Sequence, residues 1–115
     1  MKDYPKHIKE LIRQYADLAY EEELGRELEG LFNAFDDWRN QKISSIQLAD
    51  LLYEFNKGPG KELYVRYHTQ PVLDLLVAQA IVNGTLKRDQ VPAELLEQLV
   101  TAIQFYETYD DDRKS

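Results

Sequence analysis

The chain has 115 residues, of which 14 are Lys or Arg and 21 are Asp or Glu, so its formal net charge near pH 7 is −7. Hydrophobic residues make up 43% of the sequence, enough for one modest core, and five Gly with four Pro are too few for a linker. Because Cys is absent, the sequence excludes disulfides, Cys-ligated zinc, iron–sulfur clusters and thiol nucleophiles.

No run of 18 apolar residues occurs, and the first five residues lack the apolar core of a signal peptide. We therefore expect a soluble, cytoplasmic protein without a membrane partner. Acidic residues are concentrated in residues 89–112, which contain seven Asp or Glu and no Lys or Arg. This segment predicts either an acidic face for a basic partner or a solvated helix face.

Helical periodicity begins near Pro5, which suits the first turn of a helix. Apolar residues recur in two series: Ile8, Leu11, Ile12, Tyr15, Leu18 and Ala19, then Leu24, Leu28, Leu31, Phe32, Phe35 and Trp38. The second series is out of phase with the first by about half a turn. Either the chain bends near residues 21–23, or one long helix presents different faces to different neighbours. The acidic residues 21–23 favour the bend, because carboxylates complement the positive end of a new helix.

A third helix is predicted over residues 45–56, where Ser44 and Gln47 have the spacing of a capping box. Gly58, Pro59 and Gly60 should end it, since Gly adopts left-handed angles and Pro cannot extend a helix backwards. A short helix over residues 61–68 follows.

The most apolar element is predicted over about residues 70–83, with Thr69 as its cap and Pro71 in its first turn. Asn83 and Gly84 should close this helix, and Pro92 should open a last one after a connecting segment. No segment alternates with period two, so no strand is predicted. We expect an all-α bundle of five to six helices around the apolar helix, with residues 1–109 as one domain and 110–115 as a disordered acidic tail.

Residues 36–47 resemble a degenerate EF-hand. The first, fifth and ninth places of a calcium loop would hold Asp36, Asn40 and Ser44. The third, sixth and twelfth places hold Trp38, Gln41 and Gln47, where calcium binding needs an oxygen ligand, a Gly and a bidentate carboxylate. We therefore expect no metal here, and a plain helix-loop-helix corner instead.

Gly58, Gly60 and Lys61 are candidate anion-binding residues, because side-chain-free backbone and a Lys precede a helix start. The alternative is that the glycines only stop one helix and restart the next. The segment has neither a preceding strand nor the spacing of a Walker loop, so no cofactor is expected.

Aromatic and polar side chains cluster around the middle of the chain. The candidate interface residues are Phe35, Trp38, Tyr53, Tyr64, Arg66, Tyr67 and His68. Their composition is typical of interface hot spots, which bury much area while keeping a polar tip satisfied. The alternative for Tyr64 and Tyr67 is half-buried packing against the apolar helix.

Two further functions remain open at this point. His68 is the natural general base, with Asp50, Glu54 or Glu62 as its nearest acids, but no catalytic triad or metal-binding spacing is present. Residues 44–68 could form a helix-turn-helix that presents Lys61, Arg66 and His68 to a nucleic acid. Residues 57–68 carry two net positive charges, with Lys57, Lys61 and Arg66 against Glu62 alone, and these are too few for a phosphate backbone. We therefore expect no nucleic-acid binding, and, without a catalytic spacing around His68, no catalysis.

Residues 43–67, ISSIQLADLLYEFNKGPGKELYVRY, resemble a small bacterial all-helical family to which no activity is assigned. The resemblance implies a compact helical fold and a bacterial source, and it transfers no functional residue.

The sequence as a whole favours a protein-interaction or structural module that forms a homodimer or binds another protein. Phe35 and Trp38 are the expected interface anchors, with Tyr64 and Tyr67 as the second choice. The alternatives are a nucleic-acid-binding module of the helix-turn-helix kind and a small enzyme using His68.

Overall fold

The computed structural model describes the backbone of residues 3–69 and 72–114 and the side chains up to residue 110. The described residues are 83% helical and contain no strand. The helices are α1 Lys6–Arg39, α2 Ser45–Lys57, α3 Pro59–Thr69, α4 Leu73–Val82, α5 Ala93–Gln98 and α6 Val100–Lys114, with a 3-10 turn at Arg88–Gln90. The predicted all-α class is confirmed.

The helices form two compact units, unit 1 with Met1–Tyr20 and Gln70–Ser115, and unit 2 with Glu21–Thr69. α1 runs through 34 residues without interruption, so the predicted bend near residues 21–23 is wrong. Its middle is rich in Ala, Leu, Glu and Arg, which favour helix, and no Pro interrupts it. The alternative prediction, one long helix that presents different faces to different neighbours, accounts for the phase shift. The first apolar series belongs to unit 1 and the second to unit 2.

Unit 1 contains nearly all of the buried hydrophobic core. The first half of α1 buries Ile8, Ile12, Tyr15, Ala16 and Ala19. α4 buries Val77, Ala78, Ala80 and Ile81 and packs against α6 within this unit. The Tyr15 hydroxyl donates to the Gln90 carbonyl at 3.0 Å and so satisfies its polar end inside the core.

The two ends of α4 differ in how well the sequence predicts them. Thr69 does not cap α4: it ends α3, and its hydroxyl donates to the Val65 carbonyl at 2.7 Å. α4 begins after Val72 without a side-chain cap, and Pro71 lies outside the described residues. At the other end Gly84 adopts a φ of 85°, as expected of a glycine that closes a helix.

The predicted last helix is divided in two. Leu99, with φ −102° and ψ 8°, separates α5 from α6, although no Pro or Gly marks this point. Leu95, Leu99 and Ile103 nevertheless stay buried on one face, as the apolar spacing predicts. α6 continues to Lys114, so the backbone of the predicted tail is helical up to that residue, and Ser115 lies outside the described residues.

In unit 2, a capping box starts α2 as predicted: the Gln47 amide donates to Ser44 Oγ at 3.0 Å, and the Ser44 amide donates to Gln47 Oε1 at 2.8 Å. The expected left-handed turn after α2 is wrong, because Gly58 has a φ of −103°. Gly60 is needed for a different reason. A Cβ on Gly60 would lie 2.9 Å from Phe55 Cε1, so its absence lets α2 and α3 approach closely.

Two glycine substitutions should change stability in opposite directions. Gly30→Ala should raise the free energy of unfolding by about 0.5–1 kcal/mol, because Ala favours helix and its Cβ would meet nothing within 4 Å. Gly60→Ala should lower it by about 1–3 kcal/mol, since the new Cβ would also lie 3.0 Å from the Phe55 carbonyl oxygen. Urea titration measures both values. A Gly60→Ala protein as stable as the wild type would contradict the tight α2–α3 corner.

Candidate functional site

Unit 2 leaves most of its large hydrophobic side chains in solvent. Of the seventeen buried hydrophobic residues in the described chain, only Leu48 and Leu63 belong to this unit. Its exposed large hydrophobics are Leu28, Phe32, Phe35, Trp38, Ile46, Leu51, Tyr53, Tyr64 and Val65. Single exposed apolar side chains are ordinary, but a unit in which they outnumber the buried ones indicates an interaction surface.

The second half of α1 presents these side chains in a row. Leu28, Phe32 and Phe35 follow each other at spacings of four and three, which places them on one face of the helix, and Trp38 lies at its edge. We call these four residues the α1 stripe. Phe32 is 67% exposed, whereas Phe35 and Trp38 are 42% exposed. Phe32 is not among the anchors expected from the sequence. Its spacing of three residues from Phe35 is the signal that places both side chains on one helix face.

Trp38 also holds the corner between α1 and α2. Its Nε1 donates to Ser45 Oγ at 2.9 Å. Gln41, which stands where an EF-hand loop has Gly, adopts a φ of 62°. Asp36 lies inside α1, and the Ser44 hydroxyl is bound in the capping box. Among the residues that the structure describes, no cluster of three or more His, Asp or Glu is arranged to hold a metal ion.

The aromatic residues predicted around α3 separate into two groups. Tyr64 and His68 stack with their ring centroids 4.1 Å apart, and both are exposed. Tyr53 is 63% exposed on α2, with the Lys57 ammonium 5.8 Å from its ring centroid. Tyr67 is half-buried instead, and its hydroxyl donates to Glu23 Oε2 at 2.6 Å.

Glu23 is the residue that ties α1 to α3 within unit 2. It accepts from Tyr67, and its other carboxylate oxygen lies 3.6 Å from Nη1 of Arg66. Burial raises the pKa of Tyr67, and the hydrogen bond to Glu23 and the negative charge of that carboxylate raise it further. Arg66 opposes this increase in the pKa. The predicted interface residues Arg66 and Tyr67 thus bind α1, while Tyr53, Tyr64 and His68 lie at the surface.

The remaining sequence candidates have the following contacts. The Gly58 amide donates to the Glu54 carbonyl at 2.8 Å, so it is not directed at an anion, and Pro59 has no amide proton. Gly60 packs on Phe55, and the Lys61 side chain is exposed. His68 Nδ1 bonds the Tyr64 carbonyl at 2.9 Å, a contact within its own helix rather than with a carboxylate.

Within the described ranges, no helix combines the length and the apolar character that crossing a membrane requires. Comparisons with protein-family models, with curated proteins and with solved structures found no match.

Tyr67→Phe should test the contact between α1 and α3. The variant loses one hydrogen bond to a carboxylate, and we expect the free energy of unfolding at pH 7 to fall by about 1–2 kcal/mol. The pKa of Tyr67 is raised in the folded protein, so the stabilisation is complete below about pH 10, where the unfolded side chain ionises, and is lost at higher pH. In urea titrations from pH 7 to 11, the free energy of unfolding should therefore fall less above pH 10 in the variant than in the wild type. An equal fall above pH 10 in both proteins would contradict this role of Tyr67.

The nucleic-acid alternative makes a distinct prediction. Arg66 lies beside Glu23, and the other cationic side chains of this region are Lys57 and Lys61, too few for a phosphate backbone. A gel-shift assay with duplex DNA at physiological salt should show no retention. Micromolar binding that Lys61→Glu abolishes would instead favour the helix-turn-helix interpretation.

Proposed function

We propose that this chain is a self-associating protein-interaction module, in which unit 2 pairs with unit 2 of a second copy to form a homodimer. One observation carries the proposal: unit 2 buries two hydrophobic residues and exposes nine large ones. A unit of this size with so few buried side chains has little hydrophobic stabilisation of its own. Pairing with a second copy supplies the missing burial.

The exposed side chains of unit 2 supply the apolar surface that an interface needs. A standard interface buries about 800 Å² on each partner. The nine exposed large hydrophobic residues of unit 2 are the side chains from which such an interface can be built.

The α1 stripe suits a second copy of itself. It occupies a regular helix, and two identical helices related by a two-fold axis can pack the same face against each other. Leu28, Phe32 and Phe35 provide the large side chains that such packing buries, and the Trp38 ring flanks them. The net charge of −7 opposes growth into larger assemblies.

Sedimentation velocity at micromolar concentration tests the proposal directly. The wild-type chain should sediment as a dimer. Phe32→Lys should weaken association by about 2 kcal/mol or more, because it removes an anchor and places a charge in the interface. Lys is a good helix former and position 32 is exposed, so α1 itself should persist.

Tyr109→Lys is the matched control, since Tyr109 is a 52% exposed aromatic residue on a helix of unit 1. This variant should sediment as a dimer like the wild type. A wild-type monomer of 13.5 kDa would contradict the proposal. A Phe35→Ala protein that stays dimeric but melts much earlier would show that Phe35 belongs to the core of the protomer, and Phe32 would then be the anchor to retain.

A further inference from the structure

Unit 1 contains a cavity of about 440 Å³ that the proposed dimerisation does not use. Tyr4 lines it from the segment before α1, and Asp74 lines it from the first turn of α4. Thr101, Ala102 and Phe105 line it from α6. The volume lies in the range of small-molecule sites, and the wall combines apolar surface with a few polar groups, as such sites do.

Asp74 is the unusual residue of this cavity, because it is an acid with only 6% of its surface exposed. Its Oδ2 accepts from the Tyr4 hydroxyl at 3.0 Å, and its Oδ1 accepts from the Leu75 amide at 3.0 Å. A carboxylate can accept about four hydrogen bonds, so the two that it accepts from described residues leave it the capacity for further donors. In the part of the chain that the structure describes, no Lys or Arg forms an ion pair with Asp74.

The chemistry of this arrangement indicates the charge of a ligand. Buried carboxylates are normally paired with a cation, because an isolated buried charge is costly. Burial raises the pKa of Tyr4 to about 12, and the hydrogen bond and negative charge of Asp74 add to this increase. Tyr4 therefore remains a protonated donor at neutral pH and supplies a dipole rather than a balancing positive charge. A cation from outside can enter through the cavity.

We propose that this cavity binds a small organic cation, a primary amine that carries an aromatic or branched alkyl group. The ammonium group donates to Asp74, and the Thr101 hydroxyl offers it a second acceptor. The apolar part of the ligand lies against Ala102 and the ring of Phe105, which is 62% exposed. Anions and neutral molecules of the same shape lack the charge that Asp74 selects.

Three probes of similar shape separate charge from hydrophobic fit: 2-phenylethylamine, 2-phenylethanol and 3-phenylpropanoate. Each is titrated into the full chain at pH 7, and binding is followed by the amide NMR signals of residues 101–105. The amine should bind tightest and the carboxylate weakest. Asp74→Asn should weaken amine binding about tenfold or more, the value of one hydrogen bond to a charged group, and should leave alcohol binding unchanged.

Asp89→Asn is the matched control, because it removes the same charge from an exposed residue of unit 1 and should not change amine binding. Equal affinities for the amine and the alcohol would overturn the proposal, as would equal losses in the two Asp variants. If Asp74→Asn fails to fold, Ala102→Phe provides the second test, because the larger side chain fills the cavity and should abolish amine binding. Amine binding that survives Ala102→Phe would place the ligand elsewhere and overturn the proposal.

Discussion

The continuity of α1 is the constraint on which the other features depend. A helix that contributes to two units does not need to keep one apolar face along its whole length. Residues up to Tyr20 supply the core of unit 1, and those from Glu21 onward belong to unit 2. The half-turn phase shift between the two apolar series reflects this division. In the same helix, Ile12 is 0% exposed and Phe32 is 67% exposed.

Unit 2 is held together by contacts that leave the α1 stripe uncovered. Glu23 joins α1 to α3 through Tyr67 and Arg66, and Gly60 lets α3 pack closely on α2. The Glu23 contacts are polar, and the corner between α2 and α3 depends on a close approach to Phe55. The proposed association would cover the exposed side chains of the unit and so add hydrophobic stabilisation.

Unit 1 has the opposite character, since more of its large hydrophobic residues are buried than exposed, and it also contains a buried acid. Asp74 and Tyr4 are separated by 70 positions in the chain and meet at one hydrogen bond. No sequence motif singles out either residue, since an acid such as Asp74 is common in the first turn of a helix. In the structure the pair borders a cavity, which no sequence pattern indicates.

The sequence by itself determined the all-α class, the capping box at Ser44 and the closing turn at Gly84, because these depend on local hydrogen bonding and backbone angles. It also identified the apolar helix that became α4. The tertiary structure decided that α1 is continuous, that a break falls at Leu99, and that Tyr67 turns inward while Phe32 stays exposed. Periodicity shows which side chains share a helix face, but which face is covered depends on contacts between segments far apart in the chain.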